Sequence, residues 1–207
     1  MARENLIADP YNLVVVGVGG QGGILNTRII GRMLTKKGMR VTVGDVFGGN
    51  QRGGAVVSHL RISRHGSWSP QIPNGAGHVV LGIEPAEALR VLATVGNPQI
   101  KLLVNTRAVH PSKVIAGEQS YPTTEEIRNH CVSLSGESWV LDASSEAMKL
   151  GRAIYANMIM IGALAGIDVL PLDRNVFEET LSENMPPERV EINLKAYDLG
   201  NALIDRR

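Results

Sequence analysis

The sequence predicts an α/β fold in which a mainly parallel sheet is flanked by helices, with a helical C-terminal portion from about residue 145. Three observations lead there. The continuous run Leu13-Val14-Val15-Val16 has no polar face, as expected of a strand covered on both sides. It passes directly into "GVGGQGG", Gly17 to Gly23, which holds five glycines in seven positions. Beyond it, Ile24, Leu25, Ile29, Ile30, Met33 and Leu34 fall at helical spacing. Strand, glycine turn and helix in that order open a Rossmann-like unit.

The first helix is expected to stop at Gly38, where a left-handed cap suits glycine and Lys36 and Lys37 sit beside the last carbonyls. Arg40 to Val46 then reads as a second strand, completing a β–α–β unit. The next segment, "AVVSHLRIS" from Ala55 to Ser63, alternates Val57, His59, Arg61 and Ser63 with Val56, Ser58, Leu60 and Ile62. Such alternation predicts a strand where an ordinary dinucleotide-binding fold would place a helix. "SRHGSWSPQIPNGAG" is turn-rich, and His78 to Ile83 is again strand-like. Pro85 suits the first turn of a helix over Ala86 to Ala93, and Ile100 to Asn105 follows as a strand.

After an irregular stretch from Pro111 to Pro122, Thr123 or Thr124 is placed to cap a helix running through Cys131. Ser138 to Asp142 predicts a last short strand. The remainder reads as three helices. The first runs from Ser145 to Ile167; the second is capped by Asp173, with Leu172 and Phe177 as a hydrophobic staple; the third spans Glu188 to Ile204 behind Pro186-Pro187.

Composition narrows the function classes. A chain of 207 residues can bury a full core, and residues 1–207 are expected to form one domain. Lys plus Arg come to 21 against 20 for Asp plus Glu, with no like-charge block, so no nucleic acid partner is expected. The single cysteine, Cys131, excludes an intrachain disulfide and any cluster held by several thiolates of this chain. No segment has the apolar length of a signal peptide core or a membrane span, so a cytoplasmic protein with no membrane partner is expected.

Gly17, Gly19 and Gly22 fit G-x-G-x-x-G after a strand and before a helix. Two readings stand side by side: the loop amides and helix dipole hold an anion, or the glycines only permit a tight turn and close packing. Asp45, 23 positions beyond Gly22, stands where an acid could meet a ribose hydroxyl. In "FGGNQRGG", Phe47 to Gly54, Arg52 offers a five-donor fork for phosphate or carboxylate, or else ties its own loop down. Both loops are expected to meet at the C-terminal ends of neighbouring strands. His59 and Arg61 share a strand face and are either site components or satisfied structural groups. Asn157, within the apolar "IYANMIMIGALAG", needs a partner and reads best as a helix-to-sheet tie, while Gly162 and Gly166 permit close helix packing. The chain carries no Ser–His–Asp signature, H-E-x-x-H, lysine-bearing P-loop or paired cysteines. A ligand crevice without a reaction centre suggests a subunit.

The stretches "NLVVVGVGGQGGILNTRIIGRML", "QRGGAVVSHLRIS", "GIEPAEALR", "LVNTRAVHPSKV", "LGRAIYANMIMIGALAG" and "INLKAYDLGNAL" together closely resemble the gamma-type subunit or domain of the 2-oxoacid:ferredoxin oxidoreductases, the family of pyruvate and indolepyruvate ferredoxin oxidoreductases. The likeness runs from Asn12 to about Leu203. It implies a heteromeric complex that oxidatively decarboxylates a 2-oxoacid with coenzyme A to an acyl-CoA and reduces ferredoxin. It also implies that thiamine diphosphate and the iron–sulfur clusters reside on a catalytic partner subunit, leaving this chain without catalytic or metal-binding residues and inactive alone. By the same resemblance Gly17, Gly19, Gly20, Gln21 and Gly22 match the family's first loop. Gln51, Arg52, Gly53 and Gly54, followed by Ser58 and His59, match the second. These loop residues are the candidate cofactor-binding set. Family members often carry an acid where this chain has His78. The rival readings are an autonomous NAD(P)-dependent dehydrogenase and a solitary nucleotide-sensing module.

Overall fold

Leu13 and Val15 enter one hydrophobic core and Val14 and Val16 another, because successive side chains of a strand point to opposite sides. The strand carrying them, β1 (Tyr11–Val18), is buried along its whole length at the centre of the sheet. The computed structural model describes residues 6–48 and 54–204. Gln51, Arg52 and Gly53 lie outside the described residues, as do positions 49 and 50.

The other strands are β2 (Arg40–Phe47), β3 (Ala55–Ser63), β4 (Val79–Gly82), β5 (Lys101–Asn105) and β6 (Glu137–Leu141), in the order β2-β3-β1-β4-β5-β6. Parallel ladders join β1 to β4, β4 to β5 and β5 to β6. Strand β3 runs antiparallel to both β1 and β2, so the sheet is mainly parallel with one reversed strand among the described residues.

Helices α1 (Gly23–Lys36), α6 (Ala156–Gly166), α7 (Arg174–Ser182) and α8 (Pro187–Ile204) cover the side that Leu13 and Val15 face. The short α5 (Ala143–Lys149), after β6, buries Ala143 and Ala147 in that same core, while on the other side lie α2 (Pro85–Val95) and α4 (Thr124–Leu134), with α3 (Ser112–Ile115) between β5 and α4 in sequence. The expected caps are largely present. Gly38 has φ +77°, Pro85 opens α2, and Thr123 and Glu126 form a reciprocal capping box on α4. No helix among the described residues is long and apolar enough to cross a membrane.

Three expectations are corrected. Strand β3 lies between β1 and β2, because the β2–β3 hairpin inserts its return strand next to β1. The helix expected over Ser145 to Ile167 is broken. Gly151 takes φ +103° and Arg152 is extended, so a 3-10 turn at Ala153–Tyr155 leads into α6. Asp173 precedes α7 but caps it with no side-chain bond; its carboxylate pairs with Lys37 instead. Leu172 and Phe177 still bury themselves in the same core, as a staple requires.

Glycine sets the distance between α6 and α8. A Cβ on Gly162 would lie 2.0 Å from the Tyr197 carbonyl oxygen, and one on Gly200 would lie 1.9 Å from that of Ile159. The helices therefore touch backbone to backbone, as Gly162 and Gly166 predicted; Gly200 is the matching residue on the partner helix.

Candidate functional site

The glycine turn between β1 and α1 is closed by its own glutamine. Gln21 Oε1 accepts from the Val18 N–H at 2.8 Å, while the Gln21 N–H donates to the Val18 carbonyl at 3.1 Å. Gly20 and Gly22 have φ of +96° and +89°, a region that glycine enters without cost. Gly17 is held by space: a Cβ there would be 3.0 Å from Gln21 Oε1 and 3.1 Å from Ile83 Cβ. The Gly19 N–H donates to the Gly54 carbonyl at 2.9 Å, so the two glycine loops do meet at the end of β1.

Asn157 on α6 completes the turn by donating from Nδ2 to the Gln21 carbonyl at 3.1 Å. Its expected tie is thus real, but it runs to the glycine turn and not to the sheet. Above the turn, α1 begins with Gly22 as N-cap, without a capping side chain and without an acid in its first turn. No side chain of the helix offsets its positive end.

A cavity of about 310 Å³ opens beside this end, over the C-terminal ends of β1, β4 and β5. Its walls include Gly20, Gln21, Gly22, Leu25, Ile83, Val109, Ile154 and Asn157. Sequence reasoning missed its two most informative residues, Asn105 and Arg107. Asn105 is 2% exposed; its Nδ2 donates to Ser144 Oγ at 3.0 Å, and its Oδ1 has no partner among the described residues. An orphaned buried acceptor costs about 1–3 kcal/mol unless a donor fills it. Arg107 is exposed at the rim and forms no ion pair among the described residues. The signal that could have found both is their position at and just beyond the C-terminal end of a strand of an open α/β sheet.

Glu84 positions that rim. It is 1% exposed and accepts from the Glu87 N–H at 2.8 Å, capping α2, and from the Val109 N–H at 3.3 Å. The Tyr121 hydroxyl also donates to it, and burial together with this carboxylate pushes the Tyr121 phenol up. The buried acid therefore pins the segment that carries Arg107.

Several sequence candidates lie elsewhere. Asp45 sits on the edge strand, two strands from β1 and so about 10 Å away, and accepts from Ser58 Oγ. It does not meet the glycine turn, which removes the ribose-binding reading. His59 and Arg61 are structural: the Ile72 N–H donates to His59 Nδ1 at 3.3 Å, and Arg61 reaches Asn12 Oδ1 at 3.2 Å and the Ser69 carbonyl at 3.3 Å. Together they hold the turn-rich segment after β3 against the sheet. Burial pulls the His59 imidazole below its ordinary pKa. His78 lies at the opposite end of the sheet, where its Nδ1 accepts from the Asn12 N–H at 2.9 Å and its ring stacks on Tyr11.

Known proteins share this architecture. Curated relatives named indolepyruvate oxidoreductase subunit IorB are 36% identical in Archaeoglobus fulgidus and 34% identical in Pyrococcus horikoshii. The alignments cover 91% of this chain and 92% of the first relative, and 92% and 94% for the second. Two solved structures share the fold. A keto/oxoacid ferredoxin oxidoreductase gamma subunit from Geobacter sulfurreducens aligns with a TM-score of 0.67 at 21% identity, covering 95% of this chain and 99% of that one. The pyruvate oxidoreductase subunit PORC from Thermotoga maritima aligns with a TM-score of 0.71 at 19% identity, covering 94% and 97%. The family model for pyruvate ferredoxin/flavodoxin oxidoreductase matches residues 12–203. With that match spanning nearly the whole chain, and with relatives above 30% identity along almost their full lengths, the chain belongs to the pyruvate ferredoxin/flavodoxin oxidoreductase family.

Proposed function

We propose that this chain is the non-catalytic, gamma-type subunit of a heteromeric 2-oxoacid:ferredoxin oxidoreductase acting on indolepyruvate or a similar aryl or branched 2-oxoacid, and that its 207 residues work as one domain. The complex converts the 2-oxoacid, coenzyme A and oxidised ferredoxin to an acyl-CoA, carbon dioxide and reduced ferredoxin, with release of a proton. Thiamine diphosphate and the iron–sulfur clusters belong to the catalytic partner. Cys131 does not suit a cluster: it is buried in the core against α2, and burial pushes its thiol up to about 11.

One observation carries the reading. The cavity over β1, β4 and β5 offers an uncapped helix start, a rim arginine and an orphaned acceptor, yet among the described residues no His, Cys, Asp or Glu lines it. It is suited to binding and orienting, not to proton transfer or nucleophilic attack.

Coenzyme A fits these groups. Its phosphates match the amides of Gly20 and Gly22 and the Arg107 guanidinium, and the amide N–H groups of its arm match Asn105 Oδ1. When bound it supplies the thiol that takes up the acyl group. Leu25, Ile83 and Ile154 form an apolar wall against it, and docking on the catalytic subunit excludes water from the shared site. Gln51, Arg52, Gly53 and Gly54 extend the set from the β2–β3 connection.

The test is reconstitution with the catalytic subunit. Arg107→Ala and Arg52→Ala are each expected to raise KM for coenzyme A by about tenfold, with kcat changed far less, because each removes a charge-assisted contact to a non-reacting part of the ligand. Turnover by the isolated chain, or unchanged coenzyme A kinetics in both variants, would overturn the reading.

A further inference from the structure

Strand β2 is paired on one side only; its outer edge has no partner among the described residues. Soluble proteins protect such edges with lysine, proline or a bulge. Here the strand reads "RVTVGDVF", and Val43, Val46 and Phe47 are 43%, 52% and 61% exposed. Its one internal charge, Asp45, accepts from Ser58 Oγ and stays exposed at the groove.

A groove of about 750 Å³ runs between this strand and α1. Val41 and Val43 form its apolar floor, and Arg28 and Arg32 stand along its helical wall. At one end Lys36 pairs with Glu183 at 2.6 Å, which cancels both charges. Arg28 and Arg32 are exposed and form no ion pair among the described residues. The groove therefore presents two exposed guanidinium groups beside an open strand edge, Arg32 within the field of Glu183 and Arg28 without an ion pair among the described residues, against the single carboxylate of Asp45 on the strand side.

The geometry points to this edge and groove as the docking site for an extended acidic segment of the catalytic subunit, which joins the sheet as a further strand. Spacing supports a strand. Arg28 and Arg32 are one helical step of four residues apart, about 6 Å along the axis, and alternate residues of a strand are about 6.6 Å apart. Two acids at alternate positions of an added strand thus face the two arginines while its backbone pairs with β2. A second copy of this chain fits poorly. Two-fold pairing of β2 with itself puts both α1 helices on the same face and brings four like charges together.

The inference rests on the chain being a subunit of a heteromer, and the experiment separates the two. The chain is co-expressed with the catalytic subunit and their affinity is measured at two salt concentrations. Hydrogen exchange of the β2 amides is followed in the free chain and in the complex. Arg28→Glu/Arg32→Glu is expected to weaken association at least about tenfold and to flatten its salt dependence, with Arg28→Gln/Arg32→Gln intermediate. In the wild-type complex the β2 amides gain protection. Wild-type affinity in both variants, or β2 exchange unchanged on assembly, overturns the docking site while leaving the subunit reading intact. Loss of a self-association of this chain with unchanged hetero-association also overturns it, in favour of a second copy. Failure of the wild-type chains to associate sinks the subunit reading and this inference with it.

Discussion

The side-chain amide of Asn157 donates to the Gln21 carbonyl at 3.1 Å, joining residues 136 apart in sequence, and the same amide occupies the space where a Cβ on Gly22 would sit. One contact thus fixes both the turn below the cavity and the helix beside it. Gly22→Ala meets two obstacles: φ of +89°, and a Cβ only 2.6 Å from Asn157 Nδ2. It is expected to cost about 2–4 kcal/mol. Asn157→Ala removes one hydrogen bond and costs about 1–2 kcal/mol. In the double variant the clash is gone and only backbone strain and the lost bond remain, so the double loss should be smaller than the sum. Denaturant titration of the four forms checks this; strict additivity would mean that the two residues do not interact.

A steeper penalty awaits the α6–α8 contact. Gly200→Ala puts a methyl 1.9 Å from the Ile159 carbonyl oxygen, and Gly162→Ala puts one 2.0 Å from that of Tyr197. Neither obstacle is a side chain that can swing aside. Both variants are expected to lose more than about 4 kcal/mol and to accumulate as insoluble protein. Gly31→Ala is the control: its nearest outside contact, Val41 Cγ1 at 3.9 Å, is ordinary. It should be neutral or slightly stabilising by thermal melting.

Much of the fold was legible because periodicity marks what an element buries. The run Leu13 to Val16 and the alternation from Ala55 to Ser63 announced β1 and β3 in the right places. Which strands pair was not legible, because ladder partners depend on backbone edges and give no residue pattern; hence β3 between β1 and β2 came as a correction. The break at Gly151 was hidden for a related reason. Apolar residues continue at helical spacing on both sides of it, and only the glycine's positive φ reveals the interruption. At the site, the glycine turn stands out as a motif, whereas Asn105 and Arg107 carry none and become visible only when the strand ends converge.

Burial also makes stability depend on pH. His59 and His78 both have pKa values lowered from 6.5 by desolvation, so the folded state keeps them neutral where the unfolded chain protonates. Above 6.5 neither state binds the proton and the effect vanishes. As pH falls below that value the unfolded state takes up more protons and stability is lost, until the folded-state pKa is passed. The unfolding midpoint should therefore drop as pH falls below about 6.5, ahead of the carboxylate range. His59→Asn, whose amide oxygen can still accept from the Ile72 N–H, should remove part of that slope. An unchanged slope would mean that His59 takes up its proton alike in the folded and the unfolded chain.

Glu84 offers the sharpest separation of structure from binding. Its carboxylate holds the start of α2 through the Glu87 N–H and the segment bearing Arg107 through the Val109 N–H, with Tyr121 completing the set. Tyr121→Phe removes one donor but leaves both backbone bonds, and should cost about 1 kcal/mol. Glu84→Ala strands the buried Glu87 N–H, the half-buried Val109 N–H and the phenol together, for about 3 kcal/mol or more. Because the Arg107 segment then loses its anchor, the reconstituted complex should show a raised KM for coenzyme A even at temperatures where the variant is fully folded. Glu84→Gln keeps an acceptor oxygen and should recover most of the stability while restoring only part of the affinity. A Glu84→Ala complex with lowered melting temperature but native coenzyme A kinetics would make Glu84 a helix cap alone, and would detach Arg107 from the site.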